Sequence, residues 1–175
     1  MLKIVYHTQE HRGMTLSAPK KCFREDAWLG EAYYFWEDLE DADQWGNSSK
    51  RKTLKYEVYR SEINYENVLD TVFNETHYRF WLGQIEKVAL KFIRSTNMKP
   101  SLKELNDYFK ERGSWNTVTG IRFQDLPTNP NRLLIRPIEY RNKQIPFAYR
   151  KRIQIAVYND YIISNFARLK IEACL

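Results

Sequence analysis

The sequence predicts an α+β fold, with strands at both ends of the chain and a helical pair between them. Three observations predict it: strand-like composition near the N-terminus and again after residue 120, a helical period over residues 74–95, and a helix-start signature at Ser101. At 175 residues the chain is sized for one domain, 1–175, around one sizeable core.

Leu2 to Tyr6 reads as a short first strand ending at His7, and a loop follows through Gly13 to about Lys21. Ala32 to Trp36, all aromatic or small, reads as a second strand. Asp38 to Trp45 crowds its acids early, where the helix dipole favours them, and Gly46 is placed to stop that helix. Thr53 to Ile63 alternates, with Leu54, Tyr56 and Val58 on one face and Lys55, Glu57 and Tyr59 on the other.

Phe80, Trp81, Ile85, Val88, Ala89 and Phe92 recur in steps of three and four, which marks an amphipathic helix. Ser101 with Glu104 forms a capping box, opening a second helix that runs to Gly113. Gly120 to Phe123, Leu133 to Tyr140 and Lys151 to Tyr158 return to strand composition. No repeat or linker divides the chain.

Composition narrows the class. Hydrophobic residues at 43% and charged residues at 29% describe a globular chain, which excludes disorder. No apolar run approaches the roughly 20 residues of a membrane span, and the N-terminus lacks a secretory apolar core. Cys22 and Cys174 have no metal-ligand spacing. A cytoplasmic, reduced protein is expected. Aromatics at 15% suit either a dense core or stacking platforms for a planar ligand. The net charge of +6 points to an acidic partner.

His7-Thr8-Gln9-Glu10-His11 spells H-x-x-E-H, the signature of inverted zinc peptidases. That chemistry needs both histidines one turn apart on a helix. The six residues before His7 read as strand and Gly13 follows closely, so the segment does not suit a helix, and no metal is expected. Taken singly, His7 reads as a partly buried structural histidine, and Tyr33 and Tyr34 as core aromatics.

Taken together, these residues resemble the ADP-ribosyltransferase superfamily, in the branch of diphtheria toxin and the poly(ADP-ribose) polymerases. Tyr6-His7-Thr8 stands where that branch has a strand ending in His-Gly-Ser/Thr. Gly30-Glu31-Ala32-Tyr33-Tyr34-Phe35 is similar to Gly-x-Gly-x-Tyr-Phe, with Ala32 for the second glycine. Trp45 falls eleven residues beyond Tyr34, where the polymerases carry a further aromatic. Gln154-Ile-Ala-Val-Tyr158-Asn resembles the third motif, with Gln154 in place of glutamate.

The resemblance implies a split antiparallel β core with a helical pair inserted between its N- and C-terminal strands, and NAD as substrate. It implies that His7 bonds a ribose hydroxyl, that the Thr8 backbone holds the nicotinamide amide, and that Tyr34 and Trp45 clamp the ring. His7, Tyr34 and Gln154 would form the catalytic set. Gln154 grips a hydroxyl but is no base, so transfer of single ADP-ribose units is expected rather than chain elongation.

Residues 132–152 hold seven basic side chains against Glu139 alone, a local charge of +6, with Tyr140, Phe147 and Tyr149 among them. Cations with interleaved rings suit nucleic acid. Arg141, Lys143, Tyr149, Arg150 and Arg152 are therefore the expected acceptor-binding residues, for RNA or DNA ahead of an acidic protein. Small intracellular transferases of this resemblance are often bacterial toxins, paired with an antitoxin protein or directed at phage. Two further readings stay open: an NAD glycohydrolase on the same fold, and a non-catalytic basic module that binds nucleic acid.

Overall fold

The computed structural model describes residues 1–25, 27–49, 52–113, 115–125, 138–140, 143–145 and 152–174. Strand β1 spans Leu2–Glu10, β2 Tyr33–Trp36, β3 Lys55–Asn64, β4 Val68–Asp70, β5 Gly120–Asp125, β8 Arg152–Val157 and β9 Ile163–Ala173. These form one seven-stranded sheet in the order β4-β5-β8-β2-β1-β3-β9. Every neighbouring pair is antiparallel except β4 with β5. A separate hairpin joins β6, Ile138–Tyr140, to β7, Lys143–Ile145.

Helices α2, Glu75–Thr96, and α3, Leu102–Glu111, form the expected pair between β4 and β5. Asn74 caps α2 by accepting from the His77 N–H, and Asn97 closes it in the left-handed conformation. Ser101 and Glu104 make the reciprocal capping box that starts α3. No described helix is long and apolar enough to cross a membrane.

The first strand is longer than its hydrophobic pattern predicts. It continues to Glu10, because Thr8, Gln9 and Glu10 pair with Val58, Glu57 and Tyr56 of β3. His7 and His11 therefore lie along an extended segment and not on one turn of helix. Gly46 also departs from expectation. Helix α1, Leu39–Ser49, runs through it, and Gly46 is buried against the Tyr56 ring. A Cβ there would lie 2.3 Å from Tyr56 Cδ2, so the glycine serves close packing and not termination.

One sheet face carries two separate clusters. Leu29, Trp81, Phe109, Trp115, Ile121 and Ala156 pack between the helical pair and strands β5 and β8. Trp36, Ala42, Tyr56 and Val58 pack under α1. Val5, Phe35, Ile63, Ile155 and Val157 form the core of the other face. The alternation expected for residues 53–63 is present, but both faces of β3 are buried, Glu57 and Tyr59 as completely as Val58.

The sheet is nearly divided. Strands β1 and β2 pair through the single rung Tyr6↔Trp36, while β1 with β3 extends over nine rungs.

Candidate functional site

The three strands that carry the resembling motifs are neighbours, in the order β8-β2-β1. The register sets which side chains meet. Tyr34 opposes Ala156 and Trp36 opposes Gln154, so Tyr34, Trp36 and Gln154 share one face. Thr8 shares that face through Tyr6↔Trp36, while His7 and Gln9 point to the other.

A cleft of about 800 Å³ opens where β1 parts from β2. His7, Thr8, Tyr34, Trp45, Gln154 and Arg152 all line it. Residues of both faces reach one cleft because the sheet is open at that seam. The volume lies in the range of small-molecule sites.

His7 is buried, and its Nδ1 lies 2.9 Å from the Tyr34 carbonyl oxygen. A carbonyl accepts, so Nδ1 carries the proton, and in the neutral ring Nε2 is then an acceptor. Its ring also packs on Phe35 and Phe166, with centroids 5.6 and 6.1 Å away. The Thr8 hydroxyl donates to the Ala42 carbonyl at 3.1 Å, so this side chain in place of glycine is tied to α1.

Tyr34 and Trp45 come from differently packed halves. Tyr34 rests on the cluster beneath the helical pair, and Trp45 on the cluster beneath α1. The Tyr34 hydroxyl donates to the Gly30 carbonyl at 2.8 Å. That carbonyl is presented by a turn with φ of +88° at Gly30, where a Cβ would come within 2.6 Å of Asp107 Oδ1. The motif glycine is thus required by both dihedral and space.

Helix α3 holds this turn from outside. Asp107 accepts from the Glu31 N–H at 3.1 Å, and Lys110 donates to the Glu31 carbonyl at 2.9 Å. Burial raises the Asp107 carboxyl, but bonds from Lys110, Glu31 and Lys103 outweigh it and hold the group below its ordinary value. The fully buried Asn106 donates to the Trp28 carbonyl at 3.1 Å and accepts from Trp81 Nε1 at 3.3 Å. None of these three α3 residues has a sequence signal beyond its place on an amphipathic helix.

Arg152 enters the cleft from β8. Its guanidinium lies 4.7 Å from the centroid of the buried Trp36 ring. It pairs with Asp41 of α1 and Asp125 of β5, at 3.6 Å each. Of the other expected acceptor-binding residues, Arg141, Tyr149 and Arg150 lie outside the described residues, as does most of the basic stretch 132–152. Lys143 is described only as backbone in β7.

The loop after β1 contributes residues that sequence patterning missed. Arg12, Lys20, Lys21, Arg24 and Trp28 all line the cleft. The carboxylates of Glu10 and Asp125 share this lining, paired with Arg12 at 3.5 Å and with Arg152 at 3.6 Å. Phe123 backs Trp28 edge-on, 4.6 Å between centroids. The net charge of the chain equals the local charge of residues 132–152, so composition does not mark this nearer group, which lies on a loop without periodicity.

A second polar centre lies behind β1. The buried Glu57 carboxylate accepts from His11 Nδ1 at 2.6 Å, from Gln9 Nε2 at 3.2 Å and from the Tyr59 hydroxyl. The Leu16 N–H donates to Tyr59 Oη at 3.0 Å, which moors the start of the loop to the sheet. No disulfide joins Cys22 and Cys174. Among the described residues no three His, Cys, Asp or Glu side chains gather as a metal site.

No family model matches the chain, and no curated protein or solved structure matches it either.

Proposed function

We propose that the protein is an NAD-dependent mono-ADP-ribosyltransferase, with nucleic acid as its favoured acceptor. The observation that carries the reading is the convergence of His7, Thr8, Tyr34, Trp45 and Gln154 on one cleft, from three adjacent strands and α1. Two aromatic side chains on separately packed walls suit a planar leaving group. An imidazole with its proton on Nδ1 offers Nε2 to a ribose hydroxyl. The cations of the loop suit the two charges of a pyrophosphate.

The chemistry follows from that arrangement. Breaking the bond between nicotinamide and ribose develops positive charge on the ribose, and holding both ribose and ring fixes the reacting conformer. Gln154 orients a hydroxyl through its amide. The basic stretch 132–152 leads directly into β8, whose first residue already lines the cleft, which supports a phosphate-rich acceptor.

The test is incubation of the protein with labelled NAD and a mixture of RNA, DNA and protein. Label moves to nucleic acid, and Tyr34→Ala and Gln154→Ala each lose transfer while remaining folded. Folded protein that neither releases nicotinamide nor transfers label would sink the reading. Full activity in both variants would move the site elsewhere.

A further inference from the structure

The cleft holds a carboxylate beside Gln154, although not on the same strand. Asp125 opposes Arg152 across the β5–β8 ladder, and Phe123 opposes Gln154. Asp125, Arg152 and Gln154 therefore stand on one face, with Asp125 on the diagonal from Gln154, roughly 7–8 Å between backbones. All three line the cleft.

The other acids near the cleft are engaged differently. Asp41 is 1% exposed, sealed beneath α1. Glu10 stands at the far end of β1, accepting from the Thr53 N–H at 3.0 Å and paired with Arg12 at 3.5 Å. Asp125 is the acid that borders Gln154. Arg152 reaches it at 3.6 Å while also holding Asp41 and lying over Trp36, so the carboxylate is aimed by a side chain that is itself fixed on three sides.

We infer that Asp125 is the proton acceptor of this site, doing from β5 what a glutamine at position 154 cannot do from β8. The inference rests on the proposed NAD cleavage. In that step the bond between ribose C1′ and the nicotinamide nitrogen breaks, and its electron pair neutralises the pyridinium. The acceptor oxygen or nitrogen forms the new bond to C1′, and its proton passes to Asp125 Oδ. With water as acceptor the products are nicotinamide, ADP-ribose and one proton. Gln154 then orients, and Asp125 deprotonates. Arg152 is a positioning residue and not a contact for the acceptor.

The experiment measures nicotinamide release by the full chain with water as acceptor, from pH 5 to 9, beside NAD affinity by calorimetry. Asp125→Asn keeps size and shape. It is expected to lower release about 100-fold or more, the scale of general-base catalysis, with NAD affinity within about twofold. Moving the carboxylate back, in D125N/Q154E, restores at least about tenfold of the loss, which a merely structural role for Asp125 does not predict.

Release within about threefold of wild type in D125N, a loss matched by an equal loss of NAD affinity, or no recovery in the double variant would each overturn the inference. So would a wild-type chain that binds NAD and releases nothing to water. A chain that binds no NAD at all removes instead the reading on which the inference rests.

Discussion

His7 Nδ1 and the Tyr34 carbonyl, 2.9 Å apart, join β1 to β2 just beyond the rung where their backbone pairing ends. A side chain there does the work of a ladder bond, and so ties the imidazole to the strand that carries the Tyr34 ring. Exchange of His7 for Gln keeps a donor but loses the rigid ring. NAD affinity is expected to fall while the fold persists.

The two rings should be separable by substitution. Tyr34→Phe keeps the stacking face and loses the hydroxyl that bonds Gly30, so NAD affinity stays within about threefold. Trp45→Ala removes one face, worth about 0.5–1.5 kcal/mol beyond burial, and affinity falls about twofold to tenfold. Calorimetry with NAD and with nicotinamide alone checks both, since the stacking loss must show in each ligand.

The cationic loop makes the opposite prediction. Replacing Lys20, Lys21 and Arg24 together by glutamine lowers affinity for NAD about tenfold or more at low salt and flattens its salt dependence. Nicotinamide alone, which has no phosphate, binds unchanged. A titration at two ionic strengths separates this outcome from a general disruption of the cleft.

Gly46→Ala tests why a glycine sits inside α1. Helix propensity alone favours alanine by about 1 kcal/mol. The added Cβ meets Tyr56 at 2.3 Å, and overpacking of that kind costs about 1–3 kcal/mol. The thermal midpoint therefore falls, and Tyr56→Leu in the same chain recovers most of it. Trp45, the next residue, moves with the helix, so NAD affinity falls in the single variant and returns in the double.

Glu57 predicts a pH dependence of stability. Burial raises its carboxyl, but bonds from Tyr59, His11 and Gln9 outweigh burial and hold it below the ordinary 4.5. A carboxylate depressed on folding stabilises above its unfolded pKa, and the contribution disappears as pH falls through the folded value. Glu57→Gln is thus expected to lose about 2–4 kcal/mol at pH 7. Melting curves of the two proteins draw together only as pH falls below the ordinary 4.5 and through the depressed folded value, where the wild type is protonated as well.

The sequence made some of this legible and concealed the rest for definite reasons. The Ser101–Glu104 box and the three-and-four spacing from Phe80 to Phe92 are local signals, and α3 and α2 follow them. Strand β9 gave no signal, because it is an outer strand with much of its surface exposed and its pairing with β3 is interrupted twice. Residues 8–10 read as loop because they are polar, yet β3 and the Glu57 cluster satisfy them as strand. The motif residues of β1, β2 and β8 were visible singly. Their meeting depended on a strand order that no local pattern encodes, and the Lys20–Arg24 wall on a loop without periodicity.

The one-rung join between Tyr6 and Trp36 has a consequence for what the protein can recognise. Beyond it, two inner strands run on with the sides they turn to each other no longer laddered, in the middle of a sheet and sheltered from other chains. A flat carboxamide entering the cleft between them would meet main-chain edges of β1 and β2 that make no rung to each other.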